Sequence, residues 1–253
     1  MTAAASPRYA VYFALPRENG LWRLAQAWLG RDCETGESLA QPVLDGWPAD
    51  VVAEVTASPR HYGFHATLKA PFRLAEEKTP QDLRENLIGF AGKRRAFSTS
   101  PLKVSAIGPF LALTLAAPSP EMTGLADAAV TELDPLRAPL DEGEIQRRLG
   151  AGLTARQEEL LRRWGYPYVE EEFRFHMTLT GPIAERDKRQ ALHSALQDLF
   201  EPLLGNPVPV GEVCLYSQAA KETPFTLAER FRFAERGIGS EGEAAATQGR
   251  TAR

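Results

Sequence analysis

Two octapeptides decide the fold: Phe64-His65-Ala66-Thr67-Leu68-Lys69-Ala70-Pro71 and Phe175-His176-Met177-Thr178-Leu179-Thr180-Gly181-Pro182. Phe, His, Thr, Leu and Pro recur at the same places, and the copies stand 111 residues apart (176 minus 65). The same offset carries the helix predicted after the first copy onto the one after the second, and a strand predicted at 101–107 onto 212–218. The predicted strands at 8–14 and from Phe110 align only after a gap of about ten residues. A unit this large, in two copies and with no short period, does not suggest a solenoid. It predicts an α+β fold with two lobes related by a pseudo-twofold. Each lobe would be strand, helix, motif strand, helix, strand, with an antiparallel-type sheet and flanking helices around a central cleft.

Side chains alternate across a strand. Over the predicted motif strands 62–70 and 173–180, His65, Thr67 and Lys69 share one face, as do His176, Thr178 and Thr180. Phe64, Ala66, Leu68, Phe175, Met177 and Leu179 face the other way, towards the helices of each lobe. A pseudo-twofold turns the polar faces towards each other, so the cleft would hold two imidazoles, three threonine hydroxyls and a lysine.

That set suits phosphoester chemistry. A histidine pair near neutral pH can hold one neutral and one protonated ring. One takes a proton from the nucleophile and the other gives one to the leaving alkoxide. Threonine hydroxyls can donate to phosphate oxygens, and their stiff rotamers suit a strand. The expected catalytic residues are therefore His65, Thr67, His176 and Thr178, with no metal or cofactor required. Lys69 is a candidate phosphate-binding charge. Tyr12 and Tyr216, each placed by strand alternation on a face that can meet the cleft, are candidate substrate contacts.

The paired strands resemble the His-x-Thr/Ser signatures of the two-histidine (2H) phosphoesterase superfamily, and the resemblance extends from about Arg8 to Phe233. The stretch from Arg60 to Phe72 (RHYGFHATLKAPF), with Trp28-Leu29-Gly30-Arg31-Asp32, is similar to a bacterial branch of phosphonate-metabolism proteins. The resemblance implies a bilobal fold with the tetrad in its cleft and metal-independent opening or transfer of cyclic or 2′-linked phosphodiesters. In that branch it implies a role near carbon–phosphorus compound breakdown, where cyclic ribose phosphates arise.

Of the 253 residues, 43% are hydrophobic and 25% charged, values ordinary for a globular chain. With 29 Lys and Arg against 33 Asp and Glu, the net charge of −4 argues against a long nucleic acid as partner. Cys33 and Cys214 are too few for a disulfide framework or a thiolate zinc site. Residues 1–8 have no apolar core of a signal peptide, and the near-apolar run 110–118 is too short to cross a bilayer, so a cytoplasmic protein is expected. Residues 1–236 are expected to form one bilobal domain. Residues 237–253 (GIGSEGEAAATQGRTAR) carry too little apolar surface to fold and are expected to be a disordered tail.

Helices are predicted over 21–29 with a stop at Gly30, 79–90 behind a capping Thr79 and Pro80, 121–133, 144–164 with a break near 150–152, and 184–200. Further strands are predicted at 208–218 and 226–233, and residues 32–57 hold at most one short helix. His61 precedes His65 by four residues, but Gly63 and the strand pattern intervene, so a zinc site is disfavoured. His193 reads as an ordinary helix residue, Lys93-Arg94-Arg95 as a solvated helix end, and Arg174 as a surface partner of Glu170-Glu171-Glu172. No Gly-rich phosphate loop, Cys-x-x-Cys pair or Gly-x-Ser-x-Gly elbow is present.

The expected activity is opening of a small cyclic phosphodiester, a cyclic ribose phosphate or nucleotide, by histidine acid–base catalysis. Which histidine is the base stays open. The alternatives are an RNA 2′,3′-cyclic phosphodiesterase or ligase-like enzyme and a non-catalytic module that binds a nucleotide or sugar phosphate.

Overall fold

The computed structural model describes residues 7–150 and 152–234; the tail expected at 237–253 lies outside the described residues. The architecture is α+β. Strands β1 (Arg8–Phe13), β2 (Ala66–Phe72), β4 (Leu102–Ile107), β5 (Phe110–Leu115), β6 (Met177–Thr178), β8 (Glu212–Gln218) and β9 (Thr226–Arg232) form one sheet in the order β4-β5-β6-β2-β1-β8-β9. Every neighbouring pair in it is antiparallel. Two short strands, β3 (Phe97–Thr99) and β7 (Val208–Val210), pair apart from it.

The repeat is written into this order. The motif strands β2 and β6 are neighbours at the centre, joined at Ala66↔Met177, and those two residues differ by the repeat offset of 111 (177 minus 66). Outwards on the two sides, β1 answers β5 and β8 answers β4. The small sheet obeys the same rule, since its middle pair Ser98↔Pro209 also differs by 111 (209 minus 98). A pseudo-twofold therefore passes between both pairs. The two halves share one continuous sheet, and the last strand of each repeat crosses over: β4, from the first, lies beyond β5, and β8, from the second, lies beyond β1.

Helices α1 (Gly20–Leu29), α2 (Ala49–Tyr62), α3 (Pro80–Gly92), α4 (Pro120–Glu132), α5 (Glu142–Leu149), α6 (Ala155–Trp164) and α7 (Arg186–Leu204) complete the fold. α1 starts at Asn19, whose side chain accepts from Leu21 N, and stops at Gly30 in the left-handed region at φ 77°. It sets Trp22 against Phe64, ring centroids 6.1 Å apart, and its Trp28 Nε1 donates to the Leu179 carbonyl at 2.9 Å. Phe64, Ala66, Leu68, Met177 and Leu179 are all buried, as the alternation predicts for the helix-facing side.

Four expectations are corrected. Residues 32–57 do not hold a short helix at most: α2 has 14 residues and runs on to Tyr62 despite an internal Pro59, so His61 and Tyr62 are helical. The first motif strand consequently begins at Ala66, after a break at Gly63. The second is only two residues long, because Leu179 and Thr180 both turn their N–H groups to the Leu111 carbonyl. The predicted strand 208–218 is two strands, β7 and β8, parted at Gly211.

Candidate active site

The histidines owe their placement to the break before each motif. Gly63 has φ 80°, a value that favours glycine, and a Cβ there would stand 2.6 Å from Cys33 Cβ. With the chain turned this way, the Gly63 carbonyl accepts from His65 Nδ1 at 2.9 Å. The second copy repeats the device: the Arg174 carbonyl accepts from His176 Nδ1 at 2.7 Å. A carbonyl only accepts, so both rings carry their proton on Nδ1 and leave Nε2 for chemistry.

Ala66 faces Met177 in the antiparallel ladder. One residue further on each side, the same register sets His65 across from Thr178 and Thr67 across from His176. The four polar side chains thus occupy the corners of a rectangle on one sheet face. Directly opposed Cβ atoms lie about 5 Å apart and diagonal ones about 7–8 Å. Each imidazole faces the other copy's hydroxyl, and the two imidazoles lie on a diagonal.

The two rings sit in different surroundings. His65 stacks flat on Tyr12, ring centroids 3.6 Å apart and planes 13° from parallel, and Tyr216 closes in at 5.9 Å. Dense packing penalises its charged form, and the His176 charge adds to that; the Gly63 carbonyl only partly offsets them, and the pKa is pushed down to about 3. His65 is therefore neutral at ordinary pH, and its Nε2 accepts from Thr67 Oγ1 at 3.2 Å. His176 lies beside Phe110, ring centroids 5.9 Å apart and planes 50° from parallel.

Two cavities meet at the tetrad. One, of about 330 Å³, is lined by His65, Thr67 and Thr178 together with Arg8, Tyr62, Tyr166 and Arg148. The other, of about 440 Å³, is lined by His176 and Thr67 with Phe110, Tyr168, Phe173 and the carboxylates of Asp127, Glu170 and Glu172. Burial, then Glu170 and Glu171, hold the Asp127 carboxyl above its usual range.

The other sequence candidates fare unequally. Tyr12 reaches the first cavity, but as the floor beneath His65, with its hydroxyl buried. Tyr216 does not line it: fully buried behind Tyr12, it meets Cys33 Sγ at 3.5 Å. Lys69 does not share the His65 face. The β1–β2 register slips between Tyr12↔Thr67 and Val11↔Lys69, so β2 carries an extra residue at Leu68 and the alternation inverts. Lys69 is buried, with Nζ donating to the Val130 carbonyl at 2.9 Å and pairing with Asp134 at 3.2 Å. Thr180 is structural, its hydroxyl accepting from Leu111 N and donating to the Gly181 carbonyl. Sequence reasoning missed Arg8 and Arg148. The period-two alternation that placed Tyr12 also placed Arg8 on its face; nothing in the sequence ties Arg148 to the motif strands.

A protein-family model described as "Protein of unknown function (DUF1045)" matches residues 67–226. Over 234 residues the chain is 38% identical to a ribose 1,5-bisphosphate phosphokinase PhnN of Janthinobacterium sp. (strain Marseille), covering 91% of this chain and 51% of that one. It is 41% identical over 180 residues to a protein of the same name from Laribacter hongkongensis (strain HLHK9), covering 71% of this chain and 41% of that one. The chain spans about half the length of these relatives. Among solved structures it is similar to LigT of E. coli complexed with 3′-AMP, at 16% identity and a TM-score of 0.44, covering 91% of this chain and all of that one. It is also similar to Usb1 of Kluyveromyces marxianus, at 9% identity and a TM-score of 0.37, covering 88% and 99%. Among the described residues no helix is long and apolar enough to cross a membrane.

Proposed function

The chain belongs to the family described as protein of unknown function (DUF1045), and from that premise and the geometry of its cleft we propose a phosphodiesterase that opens a small cyclic ribose phosphate. The observation that carries the reading is the Ala66↔Met177 register, which opposes each histidine to the other repeat's threonine. Roles follow from the surroundings. His65, neutral, takes a proton from water at Nε2 as the water oxygen attacks phosphorus. The bond from phosphorus to one ribose oxygen breaks, and His176, as the imidazolium, gives its Nε2 proton to that oxygen. Thr67 and Thr178 donate to the non-bridging oxygens, Thr67 turning from His65 once phosphate is bound. One water is consumed, and the protein is reset when His65 passes on the proton it gained and His176 regains one. Each proton transfer is worth a factor of about 10² to 10⁴, and the fixed strand geometry adds positioning.

The relatives' name supports a ribose substrate. It describes phosphorylation of ribose 1,5-bisphosphate, and opening a cyclic diester that spans C1 and a neighbouring hydroxyl leaves a phosphate on C1 when the bond from phosphorus to the neighbouring oxygen is the one that breaks. The chain carries no Gly-rich phosphate loop of its own. In this reading the half of the relatives that the chain matches supplies what their phosphokinase activity consumes. The test is turnover of a panel of cyclic ribose phosphates and cyclic nucleotides, followed by phosphorus NMR. A ring-opened phosphomonoester made by wild type and lost in His65→Ala and His176→Ala is expected. Wild-type turnover in either variant would sink the assignment.

A further inference from the structure

We propose that Arg156 and Glu170 are positioning residues for His176: their ion pair locks the turn that aims the Arg174 carbonyl at the ring, and so decides which ring nitrogen carries the proton. The inference rests on the phosphodiesterase reading only for its effect on rate; the state of the ring can be measured without turnover.

The two motifs aim their histidines by different means. In the first copy the residue whose carbonyl holds the ring is Gly63, buried against Cys33 and in the left-handed region at φ 80°. The same place in the second copy, 111 residues on (174 minus 63), is Arg174, which is exposed. The direction of its carbonyl is therefore set by the chain before it. The left-handed residue of that segment is Glu170, four positions earlier; among the described residues it is the one non-glycine residue at positive φ, 53°. A residue with a Cβ is disfavoured in that region and stays there only where its neighbours hold it.

Those neighbours are side chains of α6. Trp164 Nε1 donates to Glu170 Oε1 at 2.9 Å, and Arg156 Nη2 pairs with Oε2 of the same carboxylate at 2.8 Å. Arg156 Nε also reaches Glu171, and Gln157 Nε2 donates to Glu172 Oε2 at 2.9 Å. The acidic run pairs with Arg156, not with the neighbouring Arg174 expected from the sequence. Main-chain bonds carry the order onwards: Glu172 N donates to the Val169 carbonyl and Phe173 N to the Glu170 carbonyl, each at 3.0 Å, closing a tight turn directly before Arg174. Three successive carboxylates beside Asp127 repel one another, and the Arg156 guanidinium offsets them. A single exposed ion pair holds little. Here a guanidinium, an indole and an amide grip three successive residues, so the turn opens only when all of them release. With the grip lost, Glu170 relaxes to an ordinary backbone and the Arg174 carbonyl turns away. His176 then loses the acceptor that keeps its proton on Nδ1.

The experiment uses the full chain with isotopically labelled histidine, in alkaline solution where both rings are neutral. Ring-nitrogen NMR reads the tautomer of each histidine, with His65 as the internal control. Wild type should carry the proton on Nδ1 in both. Arg156→Gln and Glu170→Ala should turn His176 into a mixture of the Nδ1 and Nε2 forms and leave His65 unchanged. They should lower kcat on a cyclic ribose phosphate by about 10- to 100-fold with KM within about 3-fold. Arg156→Lys keeps the charge but not the forked grip, and should fall between wild type and Arg156→Gln in both readouts. Arg84→Gln breaks an exposed pair between α3 and Glu229 of β9, and should change neither. A wild-type His176 protonated on Nε2 would overturn the proposal. So would wild-type tautomer and kcat in both main variants, or loss of the Nδ1 form at both histidines, which marks general loosening. Should Arg156→Gln not fold, Glu170→Gly decides: it is free of the left-handed strain, and an unchanged His176 tautomer there overturns the clamp. A wild type that opens no cyclic diester sinks the phosphodiesterase reading, and the tautomers still decide the clamp.

Discussion

Tyr12 lies flat beneath His65, centroids 3.6 Å apart, and is part of the packing that buries the ring and disfavours its charged form. Tyr12→Phe keeps the stack and should leave kcat/KM within about 3-fold, since the side chain is buried. Tyr12→Ala leaves a cavity in a tightly packed region and should cost about 3–5 kcal/mol by urea unfolding. The ring it frees should also titrate at higher pH by NMR. An unchanged His65 titration in that variant would show that the stack is not what holds the ring neutral.

The pH dependence has a definite sign. His65 is depressed to about 3 from an ordinary 6.5, so the base is already neutral throughout the mildly acidic range. The acid limb of kcat/KM should not break at the ordinary histidine pKa through His65. For stability, the unfolded chain binds a proton at 6.5 that the folded chain refuses until about 3. Stability from His65 is thus full above pH 6.5 and lost as pH falls from there towards 3. Thermal melts of wild type and His65→Gln should diverge in slope over that window; parallel curves would contradict the depressed ring.

Gly63→Ala should be severe. Its Cβ would meet Cys33 Cβ at 2.6 Å, in a left-handed backbone, and the carbonyl it shares a residue with holds His65. The expected result is a loss above about 2 kcal/mol and a drop in kcat larger than the change in KM. A folded variant with wild-type kcat would show that the Gly63 carbonyl does not position the ring.

Lys69→Met separates field from contact. The substitution removes a buried ammonium from Asp134, which keeps Arg137 at 2.8 Å, and leaves the Val130 carbonyl unpaired. The expectation is a stability loss of about 1–3 kcal/mol with kcat/KM reduced less than 10-fold. A thousand-fold loss of kcat/KM would return Lys69 to the substrate.

The tetrad uses side-chain protons alone in the proposed mechanism. Dialysis against EDTA should leave the rate on a cyclic ribose phosphate within about 2-fold. Inactivation reversed by a divalent ion would replace the acid–base scheme with a metal-assisted one.

The parts of the site written as a repeat were legible. Phe64-His65-x-Thr67 and Phe175-His176-x-Thr178 announce two related strands with converging polar faces, because duplication makes a common dipeptide improbable by chance; that the two strands are neighbours in one sheet, in the Ala66↔Met177 register, is not written in the motif. Lys69 was misplaced because strict alternation assumes a regular ladder, and the extra residue at Leu68 is set by pairing with β1, which no local pattern records. α2 was hidden by the Pro59 inside it and by an apolar stripe interrupted with Ser58 and Arg60. Arg148 acquires its meaning only when α5 folds over the cleft.

The crossed end strands have a consequence for how the molecule comes to exist. Among the described residues β4 pairs only with β5, and β3 only with β7, so residues before the Gly108–Pro109 turn find these mates among residues after it. A chain nicked at that turn should give fragments that are each incomplete and that regain circular dichroism and activity only on mixing. Closing the chain over the 111 residues (209 minus 98) between Ser98 and Pro209 should also make refolding slow.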